Sequence, residues 1–158
     1  MKLILAVIGP ANCTEHQAEL AERVGTLLAK RGAFLVCGGR GGVMEAACKG
    51  AASAGGTTIG ILPGHDVSEG NPYLTIALPT GLGEARNAVV ARAGRAVIAI
   101  GGAYGTLSEI ALALKAGRRV IGLETWSATD HAENELDILT ARDAEEAVEM
   151  AFAEHMDA

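Results

Sequence analysis

The sequence is poor in aromatic rings. One Trp, two Tyr and two Phe make up 3% of its 158 residues, so a core has to be assembled from Val, Ile, Leu and Ala instead of large rings. Cysteine offers no scaffold either: Cys13, Cys37 and Cys48 are odd in number and show no Cys-x-x-Cys spacing, which argues against a disulfide framework and for a reducing cytoplasm. His16, His131 and His155 share no metal-ligand spacing, so no metal bound directly by side chains is expected. No apolar run approaches the ~20 residues of a membrane helix. The first run, 3–8, is too short for a signal core, lacks a small-residue cleavage pattern and is cut off by Gly9-Pro10. The expectation is a cytoplasmic protein with no membrane partner.

What is present fits a single domain over 1–158. A chain of this length buries roughly 70% of its unfolded surface, so folding requires no metal, disulfide or cofactor. The net charge of −6 is unevenly spread. From Glu124 onward eleven acidic residues face the single Arg142, a net of −10, which leaves twelve basic against eight acidic residues, +4, in 1–123. A mildly cationic body with an acidic tail disfavours nucleic-acid binding and leaves arginines free for a small anionic ligand.

Twenty-one glycines punctuate the pattern. They fall at the ends of apolar runs and at helix stops, where they have positional meaning. Strands are predicted over 3–8, 33–37, 57–62, 74–78, 96–100 and 120–123, with a further short edge strand over 136–139. Helices are predicted from a Thr14/Gln17 capping box to about Arg31, over 43–54, over 84–93, from the end of the 101–109 loop to about Ala116, and over 144–155 capped from Asp143. The segment 63–72, rich in turn formers, reads as a lid-like loop. Strands that alternate with helices through connections too long for hairpins define an α/β fold. The expected architecture is a single Rossmann-like, nucleotide- or phosphate-binding domain, three layers around a doubly wound, mostly parallel sheet of about six to seven strands.

Two glycine loops follow strands at the rim where such sheets bind ligands. One is Gly38-Gly39-Arg40-Gly41-Gly42. The other is 101–109, Gly-Gly-Ala-Tyr-Gly-Thr-Leu-Ser-Glu, which opens onto a helix whose first amides and Thr106 can donate to an anion. Gly9 ends the first strand at the same rim. No Gly-x-x-x-x-Gly-Lys-Ser/Thr run occurs, which argues against a P-loop triphosphatase. The nicotinamide fingerprint fails because Met44 stands at its third glycine, and the absence of Gly-x-Ser-x-Gly removes the usual hydrolase elbow.

The pair Gly-Gly-Arg-Gly-Gly-Val-Met and Gly-Gly-x-x-Gly-Thr-x-x-Glu resembles the LOG superfamily, once given a lysine decarboxylase label. With Ala85-Arg86-Asn87 and Ala99-Ile100-Gly101-Gly102, the layout is more similar to the branch that includes molybdenum cofactor carrier proteins. The resemblance implies a binding or carrier protein for a phosphorylated ligand, a nucleotide or molybdenum cofactor, and a homo-oligomer, dimer or tetramer. Its binding residues would be Gly9, Gly38, Gly39, Gly41, Gly42, Arg86, Asn87, Gly101, Gly102, Gly105, Thr106 and Glu109. The alternative is a nucleoside 5′-monophosphate phosphoribohydrolase releasing free base and ribose 5-phosphate, with Arg86 and Glu109 catalytic. Ile100 where the hydrolases carry Pro, and Arg86-Asn87 where they carry Arg-Lys, favour binding over hydrolysis. Lys2, Lys30, Lys49 and Lys115 lie away from the loops, so a pyridoxal Schiff base has no lysine to use.

Electrostatics divides the roles. Glu109, one turn into its helix, would repel a phosphate set against it and is expected to face a ribose or ring donor, or a water. Arg86 offers a planar fork to phosphate and a counter-charge to the glutamate. Glu109 as a solvated carboxylate is the competing reading.

Overall fold

The computed structural model describes residues 1–156 and shows a seven-stranded, all-parallel sheet. In chain order the elements are β1 (Ile4–Ile8), α1 (Glu15–Lys30), β2 (Phe34–Cys37), α2 (Val43–Ser53), β3 (Thr58–Leu62), β4 (Ile76–Pro79), α3 (Arg86–Ala93), β5 (Ala96–Ile100), α4 (Tyr104–Lys115), β6 (Arg119–Leu123), β7 (Ile138–Thr140) and α5 (Ala144–Met156). The strand order is β4-β3-β2-β1-β5-β6-β7. The chain therefore winds outward from β1 to β4, returns to the centre at β5 and winds outward again. The switch falls between β1 and β5, and a crevice opens there beyond the carboxyl ends of the strands.

The central strands are aliphatic throughout because both faces are covered. Period-two alternation sends Leu5 and Val7 of β1, with Ile98 and Ile100 of β5, into a layer shared with α1, α2 and α5. Their alternates Ala6, Ile8, Val97 and Ala99 meet Val90 and Ala91 of α3 and Ile110 and Ala113 of α4. Two glycines set the spacing of α1 against α2. A Cβ on Gly25 would collide with the carbonyl oxygen of Ala47, and one on Gly50 with that of Glu22. The two backbones are thus in direct contact, as only glycine permits.

Several expected boundaries shift. The fourth strand is Ile76–Pro79, not 74–78, because Thr75 is occupied in a hydroxyl and amide exchange with Thr58 at the strand entrance. The last strand is Ile138–Thr140, two residues later than expected, after residues 130–136 close a turn around the Asp130 carboxylate. The third long helix starts at Arg86, preceded by a single 3-10 turn over Gly83–Ala85. The capping box of Thr14 and Gln17 forms as expected, with Gln17 N–H donating to Thr14 Oγ1 at 3.1 Å.

The segment expected to be a lid is tied down. It carries a 3-10 turn, Val67–Glu69, capped by Asp66. Asn71 secures it to the first glycine loop, donating its amide to the Gly39 carbonyl at 2.9 Å and its side-chain amide to the Arg40 carbonyl at 3.1 Å. No helix among the described residues is long and apolar enough to cross a membrane.

Candidate functional site

At the carboxyl ends of the strands lies a cavity of about 400 Å³, lined by Gly9, Pro10, Ala11, Met44, Pro63, Gly83, Glu84, Arg86, Asn87, Ala103, Gly105, Thr106 and Glu109. A larger cleft, about 780 Å³, lies at the other end of the sheet between Lys2, Arg95 and Arg118. It is remote from both glycine loops and holds no carboxylate, hydroxyl or thiol side chain with which to do chemistry. The strand-end cavity is the site that collects reactive groups.

The amino end of α4 faces this cavity unsatisfied. Its N-cap residue, Ala103, provides no side-chain acceptor, so the first amides of the helix have no partner within it. Residues 102–105 are exposed, and a Cβ on Gly105 would meet nothing within 4 Å, so a ligand can approach the backbone there. Thr106 is only 2% exposed, yet its hydroxyl has no hydrogen-bond partner. A buried hydroxyl left unpaired costs stability, and an acceptor arriving in the cavity would satisfy it.

Arg86 and Glu109 meet across the same space. Arg86 opens α3 and Glu109 lies on the second turn of α4, and their closest approach, Nη1 to Oε1, is 3.9 Å. The guanidinium is held more firmly by its neighbour: Nη1 donates to Asn87 Oδ1 at 2.7 Å. Its Nε is buried and has no partner. Burial pulls the arginine below its ordinary pKa, an effect opposed by the glutamate. Glu109 is 6% exposed, and burial pushes its carboxyl up to about 7 although Arg86 acts to lower it. Burial dominates because 3.9 Å with no direct hydrogen bond returns little of the hydration that the carboxylate gives up. The solvated-carboxylate reading of Glu109 is excluded.

The structure brings Gly9, Arg86, Asn87, Gly105, Thr106 and Glu109 together on the cavity wall. The remaining glycines shape it from behind. Gly38 allows the Arg86 guanidinium and the Met44 sulfur to lie against its backbone. Gly39 and Gly42 hold φ of +77° and +63°, the latter beneath the Pro10-Ala11 segment. Gly41 is comparatively open, its nearest neighbour being the Ala11 carbonyl oxygen at 3.5 Å from an added Cβ. Gly101 turns at φ +65° against Gln17, and Gly102 lies under the Trp126 ring. Arg40 stays on the surface, 3.8 Å from Glu69.

Other wall residues escape a reading of the sequence. Pro10, Ala11, Pro63 and Ala103 carry no chemistry of their own, and only the strand order reveals that they converge. Met44, within the quoted glycine motif, could have been found from that motif alone. Below the wall, Cys37 and Cys48 are fully buried with sulfurs 3.5 Å apart, and the Gly39 amide donates to Cys37 at 3.3 Å. Hydrogen bonding with Cys48 and burial push the Cys37 thiol well up. No group of His, Cys, Asp and Glu among the described residues is arranged to hold a metal ion.

A parallel sheet with this switch point, an uncapped helix start and a buried Arg–Glu pair at the strand ends defines a Rossmann-like α/β protein with a strand-end site open to an anion. The chain belongs to the SLOG cluster4 family, whose model matches residues 2–155. It is 46% identical over 125 residues to an uncharacterized protein of Archaeoglobus fulgidus, spanning 78% of this chain and 82% of that one. Among solved structures it is similar to the molybdenum cofactor binding protein of the phototrophic bacterium Rippkaea orientalis, at 36% identity and a TM-score of 0.88 over 100% of this chain and 99% of that chain. The molybdenum cofactor carrier protein of Chlamydomonas reinhardtii is also similar, at 36% identity and a TM-score of 0.81 over 95% and 96% of the two chains. DNA processing protein A of Streptococcus pneumoniae, at 20% identity and a TM-score of 0.72, covering 94% of this chain and 61% of that one, shares the fold alone.

Proposed function

We propose that this protein binds and carries a phosphorylated small ligand, of nucleotide or molybdenum cofactor type, at the strand-end cavity. The observation that carries this reading is the pair of buried unpartnered donors, Thr106 Oγ1 and Arg86 Nε, at one cavity beneath an uncapped helix start. Donors buried without acceptors fit an incoming anion. A phosphate has oxygens enough for the hydroxyl, the first amides of α4 and the planar fork of the guanidinium together. Asn87 holds that fork in place. Glu109, buried behind, addresses the sugar or ring, either accepting from it or, as the neutral acid, donating to it. The two similar proteins whose names refer to molybdenum cofactor support the carrier reading and the choice of ligand.

The hydrolase reading has one observation in its favour, a buried carboxyl whose pKa of about 7 suits proton transfer near neutrality. Incubation with AMP separates the two: a carrier leaves it intact, whereas a phosphoribohydrolase releases adenine. A homo-oligomer in the cytoplasm completes the proposal. The exposed edge strand β4, with Ile76 41% and Leu78 46% accessible, offers apolar surface for assembly, and sedimentation measures the resulting mass.

The direct test is thermal unfolding with ribose 5-phosphate, AMP and isolated molybdenum cofactor. Ligand bound at a hundred times its Kd adds about 2.7 kcal/mol, a clear rise in Tm. No rise with any of the three overturns the assignment.

A further inference from the structure

The two sides of the α4 helix start are unlike. The cavity lies on the β1 to β3 side, walled by Gly9, Met44, Pro63 and Arg86. On the other side, where β6 lies next to β5, Trp126 follows the end of the strand and meets Tyr104, the first residue of α4, with ring centroids 5.9 Å apart and planes tilted by 31°. Tyr104 is two positions before Thr106, about 200° around the helix, so as Thr106 turns inward Tyr104 turns away from the cavity. Tyr104 as a whole is 83% exposed.

The chain has five aromatic residues, and two of them meet beside the helix start. Trp126 is fixed in place, donating its indole N–H to the Ala103 carbonyl at 3.1 Å, with its ring against Gly102 where a Cβ would approach Nε1 to 2.8 Å. Tyr104 is largely exposed beyond its contact with Trp126, so an aromatic face stands open one residue from the backbone proposed to receive the anion. Exposed tyrosine and tryptophan faces are suited to stacking with heteroaromatic rings.

We propose that Tyr104 and Trp126 form a second subsite that stacks a planar heteroaromatic ring. The ligand would then extend to both sides of its phosphate, with one arm in the cavity against Arg86 and Glu109 and the ring outside on the aromatic face. The chemical class is a nucleotide-type molecule in which a phosphate or pyrophosphate joins two organic arms. This rests on the anion-binding reading above.

The test uses ADP-ribose, in which a pyrophosphate joins adenosine to ribose, beside AMP and ribose 5-phosphate. Trp126 is the sole tryptophan, so adenine stacked on this face is read directly as quenching of the protein's indole fluorescence. ADP-ribose is expected to bind more tightly than either smaller probe and to quench. Tyr104→Ala should weaken ADP-ribose about tenfold, the scale of one stacked base, while leaving ribose 5-phosphate unchanged, and Tyr104→Phe should restore binding. Ribose 5-phosphate binding with ADP-ribose indifferent to Tyr104→Ala overturns the aromatic subsite and leaves the anion site standing. Failure of all three probes to bind overturns the aromatic subsite, and the anion site falls with it only when isolated molybdenum cofactor also fails to raise the Tm.

Discussion

At the scale of single residues, Glu109 and Thr106 carry the clearest consequences. The Glu109 carboxyl has a folded pKa of about 7, above its ordinary 4.5. Between those values the folded state keeps a proton that the unfolded chain has released, so stability falls as pH rises from about 4.5 to 7 and the loss persists above. Glu109→Gln removes the titration. The variant should therefore be more stable than the parent at pH 8, by about 2 kcal/mol after allowing for the weakened Arg86 contact, and should lose that advantage by pH 4. Urea midpoints at the two pH values check this. Thr106→Val keeps the shape and deletes a buried hydroxyl without a partner. It should leave stability unchanged or raise it, yet weaken phosphate binding about tenfold or more, because a hydrogen bond to a charged acceptor is lost. Calorimetric titration with ribose 5-phosphate, alongside a melt, separates the two effects.

At the scale of elements, the seam between α1 and α2 depends on absence of side chains. Gly50→Ala would improve helix propensity by about 1 kcal/mol in isolation. In this fold its Cβ meets the Glu22 carbonyl oxygen, and separating two packed backbones should cost about 2 kcal/mol or more overall. The urea midpoint should drop accordingly. The α5 attachment makes the opposite point. Arg23–Glu145 and Arg31–Glu149 link α1 to α5 at the surface, but exposed ion pairs contribute little. Ala147, Val148 and Ala151 are the buried anchors. Val148→Ala should therefore destabilise by about 1–2 kcal/mol, more than Arg23→Ala, as chemical unfolding of each variant would show.

At the scale of the whole molecule, the parallel sheet gathers every strand end at one rim, and the switch between β1 and β5 opens the cavity proposed to hold the ligand. The layered α/β architecture was legible in the sequence because aliphatic strands, helix stripes, the Thr14/Gln17 box and the glycine stops are local patterns. The two glycine loops were legible for the same reason, as spacing within short motifs, whereas Arg86 and Glu109 were singled out through the family resemblance that those motifs carry. What the chain alone could not reveal is burial and the geometry of its pairs, although Arg86 was expected to balance Glu109. Arg86 and Glu109 are 23 positions apart and Tyr104 and Trp126 are 22, and neither pair has a periodic signal to connect it. Their meeting depends on the order in which parallel strands dock. Whether Glu109 is a hydrated anion or a buried acid that titrates near neutrality, and whether a glycine faces a ligand or makes room for a neighbouring arginine, is decided by what covers the residue. Covering is a property of the assembled layers, because desolvation is set by atoms that lie close in space and distant along the chain.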